Sequence, residues 1–269
     1  MLQHFPKGTW LPALEQNILK YRAFEMVLIL FQIQDLKRLV LSSIQATDNL
    51  FVRLGKRNHP RIRADAKDKY QKAWAILVAD GIISQAESDD IQRLVDYRNR
   101  IAHSIYEFAA DLSREQVAVE YSEFFEVKYD YQALQKLKLY RRKISGGLRA
   151  GVRSLSFAPI IFKSAERTYE QELLRLSKKI DRQIAARKAE HQGLAAEFAV
   201  AKRGTAEFDP SHPRNIAPNG KLTTYGIRTC HRLFDENLSS LAVAYLMRIS
   251  YRAAMNRHRA WLRAKGGND

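Results

Sequence analysis

The sequence predicts an all-α protein: a helical bundle, then a long connecting helix, then a small basic helical region at the C-terminus. Two observations carry this. Apolar residues recur at steps of three and four almost throughout, and Gly, Pro and Ser-x-x-Glu signals start and stop those runs at helix-like lengths. The composition, 46% hydrophobic and 28% charged over 269 residues, is that of an ordinary globular chain with material for a substantial core.

Taken in order, Leu11 to Ala46 reads as one long helix or two in line. Asn58, His59 and Pro60 break the chain, and a helix resumes over Arg63 to Ala79. Asp80-Gly81 ends it, the glycine supplying a left-handed cap. Ser84 to Glu87 is a Ser-x-x-Glu capping box that opens the next helix, which runs toward YRNRIAHSIY, Tyr97 to Tyr106. A further helix is expected over Ser113 to Lys138. Gly146-Gly147 and Pro159 then punctuate a basic segment expected to be less regular. Ser164 to Lys202 reads as one long polar helix with a narrow stripe of Leu173, Leu176 and Ile180. Pro210, Pro213 and Pro218, with Gly204 and Gly220, mark a linker, and a helical tail spans Thr223 to Lys265. The expected division is therefore 1–160 for the bundle, 164–202 for the connector, 203–222 for the linker and 223–269 for the basic tail. No repeat of solenoid period and no low-complexity tract interrupts this pattern.

Composition also narrows the function. One cysteine, Cys230, forms no intramolecular disulfide, and no Cys/His cluster has zinc spacing, so no metal or cofactor is expected. The N-terminal residues lack a signal-peptide pattern, and the apolar run Met26 to Phe31 is too short to span a membrane. The expectation is a soluble cytoplasmic protein without a membrane partner. Net charge is +16, and its placement is informative. Residues 1–135 hold 18 Lys/Arg and 18 Asp/Glu, whereas residues 136–269 hold 27 and 11, so 27 − 11 accounts for the whole excess. Such segregation suggests a polyanionic partner, with nucleic acid ahead of an anionic membrane.

The chemistry-bearing stretch is YRNRIAHSIY. On a helix, residues three and four apart share a face, so Asp96, Asn99, His103 and Tyr106 form a polar stripe while Ile101 and Ile105 face elsewhere. A carboxylate, an amide, an imidazole and a phenol on one face suit binding and proton transfer better than packing. Arg98 precedes His103 by five residues, about 140° around a regular helix. The two converge on one atom if the helix starts or kinks inside the motif, if Arg98 reaches round, or if two copies face each other across a two-fold axis.

An Arg, four to six residues and then a His, commonly written Arg-Asn-x-x-x-His, resembles the signature of the HEPN superfamily of nucleotide-binding and RNA-cleaving helical domains. The upstream context, GIISQAESDDIQRLVDYRNRIAH, is similar as well. The resemblance covers roughly residues 10–140. It implies a helical bundle that dimerises through the motif helices and cleaves RNA without a metal in the shared cleft. By that resemblance Arg98 is the phosphate-binding arginine, His103 the proton-transfer histidine and Asn99 the variable polar neighbour; Asp96 and Tyr106 are expected in support because they share the stripe with His103. Many toxin-type members have a Tyr two residues after the His, where this chain has Ile105 and places Tyr106 one further on. The bare spacing also occurs at His59 with Arg53 and at His258 with Arg252, but only His103 adds the adjacent Asn, the stripe and the upstream helix.

RNA supplies its own nucleophile, the 2′-hydroxyl. A histidine ordinarily titrates near neutral pH and can move a proton at the 2′-oxygen or the departing 5′-oxygen. An arginine fork can hold the scissile phosphate. The expected products are a 2′,3′-cyclic phosphate and a 5′-hydroxyl. The family's common settings imply a toxin or anti-phage defence effector, a structured RNA such as tRNA as target, and an antitoxin or defence-system partner protein. Arg100, Arg141, Arg142, Lys143, Arg149 and Arg153 are the expected RNA-binding cations, with Tyr140 and Phe157 nearby for base stacking. The alternatives are a HEPN-like dimer that binds RNA or protein without cutting, and a DNA-binding regulator. For the latter, ENLSSLAVAYLMRISYRAAMNRHRAWLR faintly resembles a helix-turn-helix. Ala244 would fill its small-residue position, although Arg248 stands where the turn usually has Gly and Arg257 where an apolar residue is expected.

Overall fold

The computed structural model describes residues 12–63, 65–103, 112, 129–151, 160–204 and 209–266. The protein is all-α, as expected. The first helix, α1 (Ala13–Arg53), is single and unbroken. It is followed by α2 (Lys69–Ala79), α3 (Gln85–His103), α4 (Ala133–Gly151), α5 (Ile160–Gly204), α6 (Thr224–Asp235), α7 (Ser240–Leu246) and α8 (Tyr251–Gly266). None of these helices is long and apolar enough to cross a membrane. The chain divides into two compact units within α5: Ala13–Ile180, and the residues from Asp181 onward.

In the first unit, α1 is the central element. Its buried residues Leu28, Ile29 and Ile33 pack with Leu94, Tyr97 and Ile101 of α3 and with Ala133, Leu134 and Leu137 of α4. Leu36, Val40 and Ile44, one to two turns on, pack with Trp74 and Leu77 of α2 and with Ile144 of α4. α2 starts six residues later than its periodicity suggests, because residues 54–63 and 65–68 are held as a loop. That loop is tied by Asp48, fully buried on α1, which accepts from Arg57 Nη1 at 2.6 Å, the Arg61 amide at 2.7 Å and Arg61 Nε at 2.9 Å. Arg61 also pairs with Asp80 at 3.0 Å, joining the end of α2 to the same network.

The Gly81 turn and the Ser84 capping box form as read. Gly81 has φ +69°, the Ile82 amide donates to Leu77 O at 2.9 Å, and the Gly81 amide donates to Val78 O at 3.0 Å. The Glu87 amide donates to Ser84 Oγ at 3.2 Å while the Ser84 amide donates back to Glu87 Oε2 at 2.8 Å. Two expectations differ. Residues 129–132 are a turn, so the helix anticipated through to Lys138 begins afresh at Ala133, and its earlier part lies outside the described residues. The basic segment around Gly146-Gly147 is regular helix as far as Gly151. Its reason is packing: a Cβ on Gly147 would stand 2.6 Å from Ile82 Cγ2, so the absent side chain is what lets α4 approach the turn after α2.

The second unit is a small core of Cys230, Leu233 and Phe234 from α6, Leu241 to Ala244 from α7 and Ala254 from α8, with Leu194 and Ala201 of α5. Cys230 is fully buried, and burial pushes its thiol up to about 11. The tail expected as one helical region is thus three short helices. The Pro-rich stretch expected as a linker is, from Asp209 onward, ordered. Asn215, 1% exposed, donates through Nδ2 to Pro210 O at 2.7 Å, and Thr223 donates to Asn215 O and, through Oγ1, to Arg214 O. A Cβ on Gly226 would stand 2.2 Å from Asn215 O, so this turn lies directly on the first turn of α6.

Removing the Asp48 carboxylate leaves two guanidiniums without their shared acceptor, though both keep access to water. Asp48→Ala is expected to lower stability by about 2–4 kcal/mol in urea unfolding. A change within about 0.5 kcal/mol would show that the loop is not held by this network.

Candidate functional site: the α3 motif and a cationic cleft

The α3 helix is held in place through Tyr97. Its ring is buried against Tyr129 in an edge contact at 6.3 Å, and its hydroxyl accepts from the Asp130 amide at 3.0 Å. Tyr129 in turn donates to Glu25 Oε2 at 2.8 Å, and Arg22, fully buried, lies over the rings of Tyr129 and Tyr131 at 4.9 and 5.3 Å. Tyr131 accepts from Arg22 Nε at 2.8 Å. Burial pushes the Glu25 carboxyl up to about 7, against the Tyr129 hydrogen bond and the Arg22 charge, which lower it. Burial likewise pushes Tyr97 up to about 12.

With Tyr97 and Ile101 facing the core, the intervening residues are set outward. Arg98 and Asn99 are half-buried, and Asp96, Arg100 and His103 are exposed. Arg98 Nη1 donates to Asn99 Oδ1 at 2.9 Å, so the residue beside the arginine orients its fork. Arg98 Nε is buried and has no hydrogen-bond partner, and Arg98 pairs with no carboxylate among the described residues. Lys37 of α1 is close enough to be affected: burial first, then the Arg98 charge, hold its ammonium below the ordinary value, against the pull of Asp96. Lys37 Nζ also sits over the Tyr70 ring at 5.1 Å. Two cations thus approach each other at α1 and α3, with the exposed Asp96 carboxylate offsetting only part of their charge, a setting that favours an incoming phosphate. Arg100 lies over the Tyr97 ring at 5.7 Å. His103 is the last residue of α3, and Ile105 and Tyr106 lie outside the described residues.

The expected RNA-binding cations are not one cluster. Arg141 Nε is paired with Asp35 at 2.6 Å, and Lys143 Nζ with Glu87 at 2.6 Å. The Lys143 bond holds the Glu87 carboxyl below its usual range. Arg149 is exposed on α4, while Arg153 and Phe157 lie outside the described residues. Arg142 lines a cleft of about 250 Å³ between α1, α4 and α5, together with Lys138, Arg141, Lys163 and Arg167, against Glu166 and Glu170. Lys138 is bonded to Glu170, and Gln32 donates its Nε2 to Glu166. Gln32 Oε1, buried, has no partner. The cleft therefore offers a cationic wall. Lys37, Lys138, Lys163 and Arg167 are the residues that reasoning from sequence missed. Lys138 with Arg142, and Lys163 with Arg167, are i,i+4 pairs that could have been read as cationic faces. Lys37 carries no such signal.

No family model, curated protein or solved structure matches this chain.

The Glu25 cluster has a pH signature. The folded carboxyl keeps its proton up to about pH 7, whereas an unfolded glutamate loses it near 4.3. Between those values the unfolded state binds fewer protons, so this group's contribution to stability is complete below about pH 4 and declines as pH rises to 7. Glu25→Gln is expected to match the wild type at pH 4.5 and to exceed it by about 1–3 kcal/mol at pH 8 in denaturant titrations. Parallel pH profiles for the two proteins would refute the assignment.

Proposed function

We propose that the protein is a metal-independent endoribonuclease of HEPN type, acting as a homodimer through α3. The observation that supports it is Arg98: an arginine with a buried unpartnered Nε, oriented by Asn99, beside Lys37, and in ion pair with no carboxylate among the described residues. A phosphate is the natural occupant of such a site. His103 is exposed at the end of the same helix, where it can move a proton. Five residues of helix separate the two by about 140°, which is why the reading needs a second copy, each protomer facing its partner's motif helix.

In this reading Arg98 holds the scissile phosphate and offsets charge on its non-bridging oxygens. Asn99 positions the guanidinium rather than touching the reacting atoms. His103 exchanges a proton with the attacking 2′-oxygen or the leaving 5′-oxygen, giving a 2′,3′-cyclic phosphate and a 5′-hydroxyl. DNA, lacking the 2′-hydroxyl, is not cleaved. The substrate class is structured RNA such as tRNA. The setting we propose is a toxin or anti-phage effector in the cytoplasm, restrained by an antitoxin or defence-system partner protein. The cationic cleft favours a second reading, in which the chain holds RNA without cutting it, because its five cations suit phosphate contact and no histidine lines it.

Incubation of a tRNA mixture in EDTA separates the two. Cleavage to cyclic-phosphate ends is expected from the wild type, with His103→Ala slower by about 10²–10⁴-fold and Arg98→Ala by about 10²–10³-fold. Undiminished cleavage in His103→Ala would sink the mechanism, and binding without cleavage by the wild type would establish the second reading. The cleft is tested by salt titration of RNA binding in the His103→Ala protein. Arg142→Ala is expected to make the slope of log K against log salt shallower by about 0.7. An unchanged slope would remove the cleft from the RNA path.

A further inference from the structure

The second unit presents a helical face that the ribonuclease reading leaves unused. The rotation of α8 about its own axis is fixed by one stripe of side chains. Ala254 is fully buried. His258 and Trp261 stack on each other at 5.5 Å and pack on Phe234 at 4.8 and 5.7 Å. Trp261 Nε1 donates to Asp235 Oδ1 at 3.1 Å, and Lys265 pairs with the same oxygen at 3.0 Å. Positions 254, 258, 261 and 265 follow the four-three-four spacing of a single helical face.

Positions 252, 256, 259 and 263 repeat that spacing two residues out of step, about 200° around the helix. They are Arg252, Asn256, Arg259 and Arg263. All four are exposed, and none of their side chains makes a hydrogen bond or ion pair with a described residue. No Asp or Glu occurs anywhere in α8. The stripe runs for about 16 Å along a 16-residue helix.

What delivers this helix is as informative as its face. α7 is short and its Ala242, Val243 and Ala244 are fully buried. The chain passes from α7 to α8 in four residues, because Arg248 adopts φ +54°. The Ile249 amide then donates to Ala244 O at 3.1 Å and the Arg248 amide to Tyr245 O at 3.3 Å, the hydrogen-bond pair of a left-handed helix end. Ile249 turns into the core and Ser250 caps α8, accepting from the Ala253 amide at 3.1 Å. The left-handed turn is therefore made without the glycine usual at that position. Arg257, set where an apolar residue was expected, is half-buried near the Cys230 thiol.

We propose that the second unit binds duplex DNA, with α8 in the major groove and Arg252, Asn256 and Arg259 reading base edges. The argument is one of shape and donor pattern. A B-form major groove, about 12 Å wide, admits one α-helix, and arginine and asparagine are the side chains whose paired donors and acceptors match guanine and adenine edges there. In helix-turn-helix docking, the second helix enters the groove by its N-terminal part while the preceding one crosses the backbone. That puts Arg252 and Asn256 deepest and leaves Arg248 and Arg263 for phosphates. A-form RNA is the poorer fit, because its major groove is too deep and narrow for side chains to read. The inference stands apart from the ribonuclease reading, sharing no residue with it.

The test is selection of duplexes with a randomised core by the full-length protein at 150 mM salt, followed by sequencing and by anisotropy on the winner. A defined motif is expected to emerge. Asn256→Ala and Arg259→Ala are each expected to weaken the selected duplex about tenfold or more, with loss of preference at one or two base pairs. Arg259→Lys keeps the charge but not the fork, so it is expected to lose the base preference while retaining the salt dependence. Thermal melting of each variant, expected to match the wild type, keeps a folding defect from being read as lost recognition. Failure of any motif to emerge overturns the proposal. So does a structured RNA that outcompetes the selected duplex, or equal weakening of every duplex by the alanine variants. Cleavage of RNA by the α3 motif is read separately and is unaffected by either result.

Discussion

A left-handed residue at the end of one helix, followed by one or two apolar residues of which the last is buried, and then by a serine that caps the next helix, is the constraint on which both candidate sites depend. It occurs at Gly81-Ile82-Ile83-Ser84 before α3, at Asn237-Leu238-Ser239 before α7, and at Arg248-Ile249-Ser250 before α8. At each, the amide after the left-handed residue reaches back five positions to a carbonyl, to Leu77, Leu233 and Ala244 respectively. The left-handed conformation is unfavourable by about 1–2 kcal/mol for a residue with a side chain. Burial of Leu238 at 3% and Ile249 at 8% exposure, worth about 1.5–3 kcal/mol for each such side chain, offsets it. These few residues set where α3 and α8 begin, and the packing of Tyr97 and of Trp261 then sets the rotation that places Arg98 and Arg252.

The same motif shows what was legible in the sequence. Gly81 and the Ser84–Glu87 box could be read directly, because glycine and Ser-x-x-Glu announce their conformations locally. Asn237 is a weaker local signal and Arg248 carries none, since its conformation is imposed by the burial of Ile249 on a core made elsewhere. Gly146-Gly147 is the converse case. A glycine pair reads as a breaker, but Gly147 is small because Ile82 lies against it, and the helix continues. The Pro-rich stretch misleads for a similar reason: its order rests on Asn215 and Gly226 meeting across eleven residues of sequence.

At the α3 motif, the residue types and their faces were readable, and the Arg98–Asn99 bond follows from adjacency. The approach of Lys37 was not, being a contact between α1 and α3. Charge counting has a related limit. The basic excess of the second half is plain in the sequence, yet Arg141 and Lys143 answer Asp35 and Glu87 of the first half. Formal charge therefore overstates what α4 offers a polyanion. On α8 the reverse holds, since among the described residues only Lys265 is in an ion pair and the exposed arginines are not.

The burial of Cys230 has a practical consequence. A thiol that is fully enclosed, with its pKa pushed up to about 11, exists almost entirely protonated at neutral pH and is a poor target for alkylating or oxidising reagents. It is also the chain's sole cysteine. The protein is in effect a cysteine-free background under native conditions. One cysteine introduced at an exposed position, on α3 or on α8, becomes the single reactive sulfur, able to carry a spin label or fluorophore without further engineering. Distances between two such labels, one on each copy, would measure how a pair of molecules meets in solution.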